Sequence, residues 1–151
     1  MKKILLLLIL SCGQLVALDK ESTLKFYQHI LPDIVLGSPV FLYVEDLEYK
    51  SIFTEADKIS LVNSMKKSDI ILVTSKEMLK EVLYQKDLYF KHTRKPFLFA
   101  TDYHILKACS DVIGAFYWKK GRAQLLFVKN RLKEHNIELS QEYKKFIIDE
   151  L

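Results

Sequence analysis

Apolar positions recur along the chain in two periods, and the alternation between them sketches a layered fold. Leu24, Phe26, Tyr27, Ile30 and Leu31 return at helical spacing and leave Lys20, Glu21, Lys25 and Gln28 outside, which predicts a helix over 20–31. Pro32 is expected to break or kink it, with Ile34-Val35-Leu36-Gly37 adding one more apolar turn. Val40-Phe41-Leu42-Tyr43-Val44, bounded by Ser38-Pro39 and Glu45-Asp46, predicts a short buried strand. Residues 47–55 alternate weakly and stay ambiguous. Residues 57–67 carry Ile59, Leu61, Val62 and Met65 and read as a helix.

Ile70-Ile71-Leu72-Val73 has no polar alternation, the mark of a strand buried on both faces of a parallel sheet. Thr74 with Glu77 three residues on forms a capping-box pattern for a helix that turns Met78, Leu79, Val82 and Leu83 inward. Residues 86–96 read as a basic loop closed by Pro96, Phe97-Leu98-Phe99-Ala100 as a third buried strand, and Asp102 as the cap of a helix over 103–110.

Ile113–Trp118 and Ala123–Val128 flank Lys119-Lys120-Gly121-Arg122, where glycine allows the positive φ of a tight hairpin. With Lys120-Gly121 as the loop, Trp118 opposes Ala123, Phe116 opposes Leu125 and Gly114 opposes Phe127, and this register puts the bulkiest groups on one inward face. Asn130 is expected to cap a short helix. Ser140 is expected to cap a last one with Tyr143, Phe146 and Ile147 inside. The order predicts an α/β fold: three layers, a mostly parallel sheet with helices on both faces, and an antiparallel C-terminal β-hairpin.

The first residues change the picture of where this domain works. Lys2-Lys3, the apolar run Ile4–Leu10 and the small-residue end at Ala17 follow the order of a secretory signal peptide over 1–17, leaving a single α/β domain over 18–151. The run is far shorter than the roughly 20 residues that span a bilayer. Three fates stay open: cleavage near Ala17 and release to a periplasm, lipidation at Cys12 after Ile9-Leu10-Ser11, or a retained anchor. Cleavage lowers the net charge from +4 to +2, because Lys2 and Lys3 are the only charges in the segment. The nominally basic balance therefore argues for no nucleic acid partner. Cleavage also leaves Cys109 alone. Among Ile105, Leu106, Ala108 and Val112 it reads as a small buried apolar residue, with an intermolecular bridge as the other reading.

Chemistry is sparse. Beyond residue 17 there are three glycines, Gly37, Gly114 and Gly121, too few for GxGxxG or a P-loop. CxxC, HExxH and GxSxG do not occur. His29, His92, His104 and His135 are spread along the chain without ligand spacing, so no metal, cofactor or catalytic residue is expected.

Open α/β sheets bind ligands beyond the carboxyl ends of their strands. Those ends here carry Glu45 and Asp46, Thr74 and Ser75, and Thr101, Asp102 and Tyr103, a candidate ligand-binding rim whose competing explanation is helix capping. The run from Lys86 to Lys95, with Tyr89, Phe90 and Arg94, reads either as a solvated loop or as a protein contact. Tyr117, on the hairpin face opposite Phe116 and Trp118, reads either as core or, with Leu126, as a patch for a partner.

The segment Val112–Arg122 through Phe127, with Asn130, Leu132, Ile137, Leu139, Ser140 and Phe146, resembles the C-terminal signature of YfiR-like periplasmic proteins. That signature runs from an apolar strand after a glycine, through a charged tight turn and a strand ending in Phe, to an Asn-capped helix and a Leu-x-Leu/Ile-Ser step. The resemblance covers about the last 40 residues, and the rest in element order. It implies an exported, non-enzymatic α/β protein that regulates an envelope or inner-membrane signalling protein by binding it, with a homodimer as a further expectation. This chain is shorter than typical members and lacks their cysteine pair, and no binding residue carries over. The competing reading is a small periplasmic solute-binding protein that uses the strand-end rim; an enzyme ranks third.

Overall fold

The computed structural model describes residues 19–90 and 94–151. The expected signal segment over 1–17, and His92 of the basic run, lie outside the described residues.

Helix α1 (Lys20–Val35) starts at Asp19, whose carboxylate accepts the Ser22 N–H, and buries Thr23, Tyr27, Ile30, Leu31 and Ile34 along one side. Pro32 does not break it, and the further turn expected after it forms. The helix runs one turn further and stops at Leu36, which adopts a left-handed φ of 54° and donates its N–H to the Pro32 carbonyl. Proline costs a helix one hydrogen bond. Leu31 and Ile34, 0% and 2% exposed on either side of it, outweigh that loss.

Strand β1 (Val40–Tyr43) leads to α2 (Leu47–Phe53), which settles the ambiguous 47–55 stretch. Asp46 caps it, accepting from the N–H groups of Glu48 and Tyr49, and Ile52 and Phe53 are buried. The helix expected over 57–67 is instead β2 (Ile59–Leu61) followed by a 3-10 turn (Met65–Lys67). Ile59 pairs with Val40 and packs in the core of one sheet face, whereas Met65 packs on the other. A pairing partner outside the segment decided this, which local periodicity does not report.

Strand β3 (Ile70–Val73) is buried throughout. Helix α3 (Lys76–Tyr89) is capped by Ser75, whose Oγ accepts the Met78 N–H at 3.0 Å, so the cap falls one residue after the expected Thr74. The helix also continues to Tyr89, shortening the basic loop. Strand β4 (Phe97–Ala100) is followed by α4 (Tyr103–Ala108), capped by Asp102 as expected. Strands β5 (Val112–Lys119) and β6 (Arg122–Val128) pair in the expected register, with Trp118 opposite Ala123, Phe116 opposite Leu125 and Gly114 opposite Phe127. The turn places Lys120 and Gly121 at φ 50° and 73°, the twist a two-residue hairpin loop needs.

Three C-terminal expectations change. Asn130 lies inside α5 (Lys129–Glu134), whose N-cap position is Val128 without a side-chain bond. The Ser140 side chain makes no cap bond, and the segment after it, Gln141–Phe146, is a 3-10 helix. Ile147–Ile148 form an added strand, β7, parallel to β6.

The seven strands lie in the order β2-β1-β3-β4-β5-β6-β7. The first five are mutually parallel, and β5–β6 is the antiparallel pair. Two buried clusters sandwich the sheet. On one face Tyr27, Ile30, Leu31, Ile52, Phe53 and Leu132, from α1, α2 and α5, meet Val40, Leu42, Leu72, Phe99 and Phe127. On the other, Met78, Leu79, Val82, Ile105 and Leu106, from α3 and α4, meet Ile71, Val73, Leu98, Val112 and Ala115. The fold is the three-layer α/β arrangement expected, and Cys109 is a buried free thiol on the second face. Among the described residues, no helix is long and apolar enough to cross a membrane.

Candidate functional site

The site grows out of a mismatch in strand length. Strand β4 has four residues and β5 has eight. Pairing between them ends at Ala100–Ala115, whereas β5 continues with β6 to Lys119–Arg122. The hairpin thus projects past the carboxyl end of β4, next to the first turn of α4. Between them lies an open groove of about 450 Å³, lined by Thr101, Asp102, Tyr103, His104, Tyr117, Trp118 and Lys119. A hollow of about 160 Å³ adjoins it, lined by Thr74, Ser75, Lys76, Asp102, His104 and Ile105.

Aromatic groups dominate the groove. The Tyr103 and Tyr117 rings stand 5.8 Å apart, tilted at 48°. Trp118 is 45% exposed, although Phe116, two residues back on the same face of the strand, is 7% exposed. The inward packing expected of the hairpin therefore holds at Phe116, Leu125 and Phe127 but not at the tip. Phe26 of α1 stacks on Phe116 at 3.9 Å, and Trp118 meets Phe116 edge-on at 6.4 Å. Asp102 is fixed at the floor, its Oδ1 accepting the His104 N–H at 2.6 Å. Burial raises the Tyr117 hydroxyl above its ordinary pKa, and the nearby Tyr103 and Asp102 push in the same direction.

The strand-end rim is thus only partly assembled into one site. Thr101, Asp102 and Tyr103 line the groove, and Thr74 and Ser75 line the adjoining hollow. Glu45 and Asp46 line neither. Glu45 accepts the Tyr43 hydroxyl at 2.9 Å, and burial, followed by this carboxylate, pushes Tyr43 up to about 12. Asp46, Ser75 and Asp102 all serve as helix caps, and Thr101 Oγ1 reaches the Val73 carbonyl at 3.5 Å. The fold rule points to the crevice at the β1–β3 reversal, yet the largest of these openings lies at β4–β5, because the hairpin overhang supplies the second wall.

Of the residues expected to meet a partner, Tyr117 belongs to the groove. Arg94 is exposed and precedes β4, with Nη1 3.7 Å from Asp69 Oδ1, so it sits at the opposite, amino end of the strands. Tyr89 ends α3. Phe90 is 2% exposed within the second-face core and is not offered to a partner; the extra turn of α3 carries it inward. The same end of the sheet holds a cavity of about 150 Å³ walled by Ile71, Val82, Phe90, Pro96 and Leu98, with the Lys86–Asp111 ion pair (2.5 Å) at its mouth.

Trp118, His104 and Lys119 are the groove residues that sequence reasoning missed. The signal available was the unequal length of the two apolar runs, four residues at 97–100 against six or more at 113–118. Among the described residues, no three His, Cys, Asp or Glu side chains are grouped to hold a metal ion. No family model, curated protein or solved structure matches the chain.

Proposed function

We propose that this chain is an exported, non-enzymatic regulatory module that binds an envelope signalling protein through the groove between α4 and the projecting hairpin. The observation that carries the reading is the overhang of β5–β6 past β4, which holds Tyr117 and Trp118 out beside Thr101–His104. Exposed tryptophan and tyrosine are the side chains most enriched at binding hot spots. The reading also draws on the signal-like first seventeen residues and on the YfiR-like C-terminal pattern. Regulation by such a module works through differential affinity for two states of its partner.

The second reading is solute binding, favoured by the groove volume of about 450 Å³, within the range of small-molecule sites. A solute that binds the folded state raises the melting temperature by mass action.

A photo-crosslinking amino acid in place of Trp118, in the full chain expressed in bacteria with an envelope, tests the first reading. The expected result is a crosslink to an integral membrane protein on the exported side, with the same probe at exposed Lys144 silent. Recovery of the chain from the cytosol with Met1 still attached, or equal labelling at both positions, would sink it.

A further inference from the structure

We infer that the groove is a receptor for an organic cation, an alkylated ammonium or guanidinium group held against the Tyr103 and Tyr117 rings by the Asp102 carboxylate. The inference rests on the reading of the groove as the binding site and names what it recognises.

Three features converge. First, the Tyr103 and Tyr117 rings stand together on one face of the hairpin, 5.8 Å between centroids, whereas the Trp118 ring lies against Phe116 on the other. Aromatic faces carry negative potential and attract cations, most strongly where water is partly excluded. Second, Asp102 lines the same groove as Tyr103 and Tyr117. Its Oδ1 is pinned by the His104 N–H, and Oδ2 has no hydrogen bond among the described residues. A fixed carboxylate with a spare oxygen beside aromatic faces favours a cation and repels an anion. Third, the groove, about 450 Å³ and open on one side, has room for a trimethylammonium or guanidinium head with part of its tail. Lys119 is the one lining residue that always opposes this. It sits at the exposed hairpin tip, where a long side chain can carry its ammonium into water.

The cation can come from a free solute or from an arginine side chain of a protein partner, and two probes separate these sources. Calorimetric titration of the full domain with choline, and with a short blocked peptide carrying one arginine, is expected to give binding for at least one. The neutral isostere of choline, 3,3-dimethylbutanol, is expected to bind roughly two- to five-fold more weakly, the size of one cation–aromatic contact at a solvent-open site. Asp102→Asn keeps the helix cap, because asparagine caps as well as aspartate, and should lose binding with an unchanged melting temperature. Tyr117→Phe keeps the ring and should bind, whereas Tyr117→Leu should not. Lys119→Ala should tighten binding roughly two- to five-fold by removing a like charge at an exposed site. Failure of both cations, equal binding of the isostere, or undiminished binding by Asp102→Asn would each overturn the inference. If those results came with a crosslink at position 118, the cation assignment alone would fall; without the crosslink, the groove reading would fall with it.

Discussion

Single residues here do structural work that their sequence neighbourhoods do not announce. Arg131 projects from α5 and brings Nη1 within 2.8–2.9 Å of the carbonyls of Leu106, Cys109 and Val112. It thereby satisfies the end of α4 and the start of β5 with a positive charge placed where the helix dipole favours one. Arg131→Ala should cost on the order of 2–3 kcal/mol in urea unfolding, since charge-assisted bonds are lost and buried carbonyls are left bare. Arg131→Lys should recover only part of that, because a flexible, strongly hydrated ammonium is held less firmly at the point where Nη1 meets the three carbonyls. A loss under a few tenths of a kcal/mol would show that water replaces the side chain. Asp102 was legible as a helix cap, whereas the helix that Asp46 caps was not, because residues 47–55 carry no clear period. Nor was the choice of Ser75 over Thr74, because either hydroxyl can cap a helix that starts here.

At the scale of elements, the hairpin was the most legible part of the chain. Its two apolar runs and the Lys120-Gly121 turn specify a register by themselves, since a one-residue slip would turn Phe116, Leu125 and Phe127 outward. Gly114 shows what that register demands. A Cβ there would stand 2.6 Å from the Leu126 carbonyl oxygen and 2.6 Å from the Phe127 ring. Gly114→Ala should therefore destabilise the domain by about 1–3 kcal/mol through overpacking. The urea midpoint should fall with an unchanged slope, and an unaltered midpoint would contradict the close approach. Other elements were misread for a common reason. Residues 59–61 form a strand because β1 offers an unpaired edge, and Ile147–Ile148 because β6 does. Both depend on a partner distant in sequence. Pro32 is tolerated within α1 because the sheet beneath buries the residues on either side of it.

Across the described residues, five tyrosines, Tyr27, Tyr43, Tyr49, Tyr117 and Tyr143, have hydroxyls raised above the ordinary value of 10.0, with burial the first cause in each. Tyr27 is fully buried, and its hydroxyl, although near Tyr49, has no hydrogen-bond partner among the described residues. The unfolded chain therefore gives up these protons first as pH rises. Stability should be intact below about pH 10 and should fall as the pH climbs through the folded values, near 12 for Tyr43. Chemical denaturation across that window, followed with tyrosinate absorbance, checks this, and a flat stability profile would contradict it. What the chain determined by itself was the set of segments whose burial pattern is complete within them: the amphipathic α1, the all-apolar β3 and β4, the hairpin and its register, and hence a mostly parallel sheet with helices on both faces. Tertiary structure alone decided the edge strands β2 and β7, the inward course of Phe90, and the groove at β4–β5. Local pattern records which side of a segment avoids water, whereas a groove depends on how far one strand outruns its neighbour once both are in the sheet.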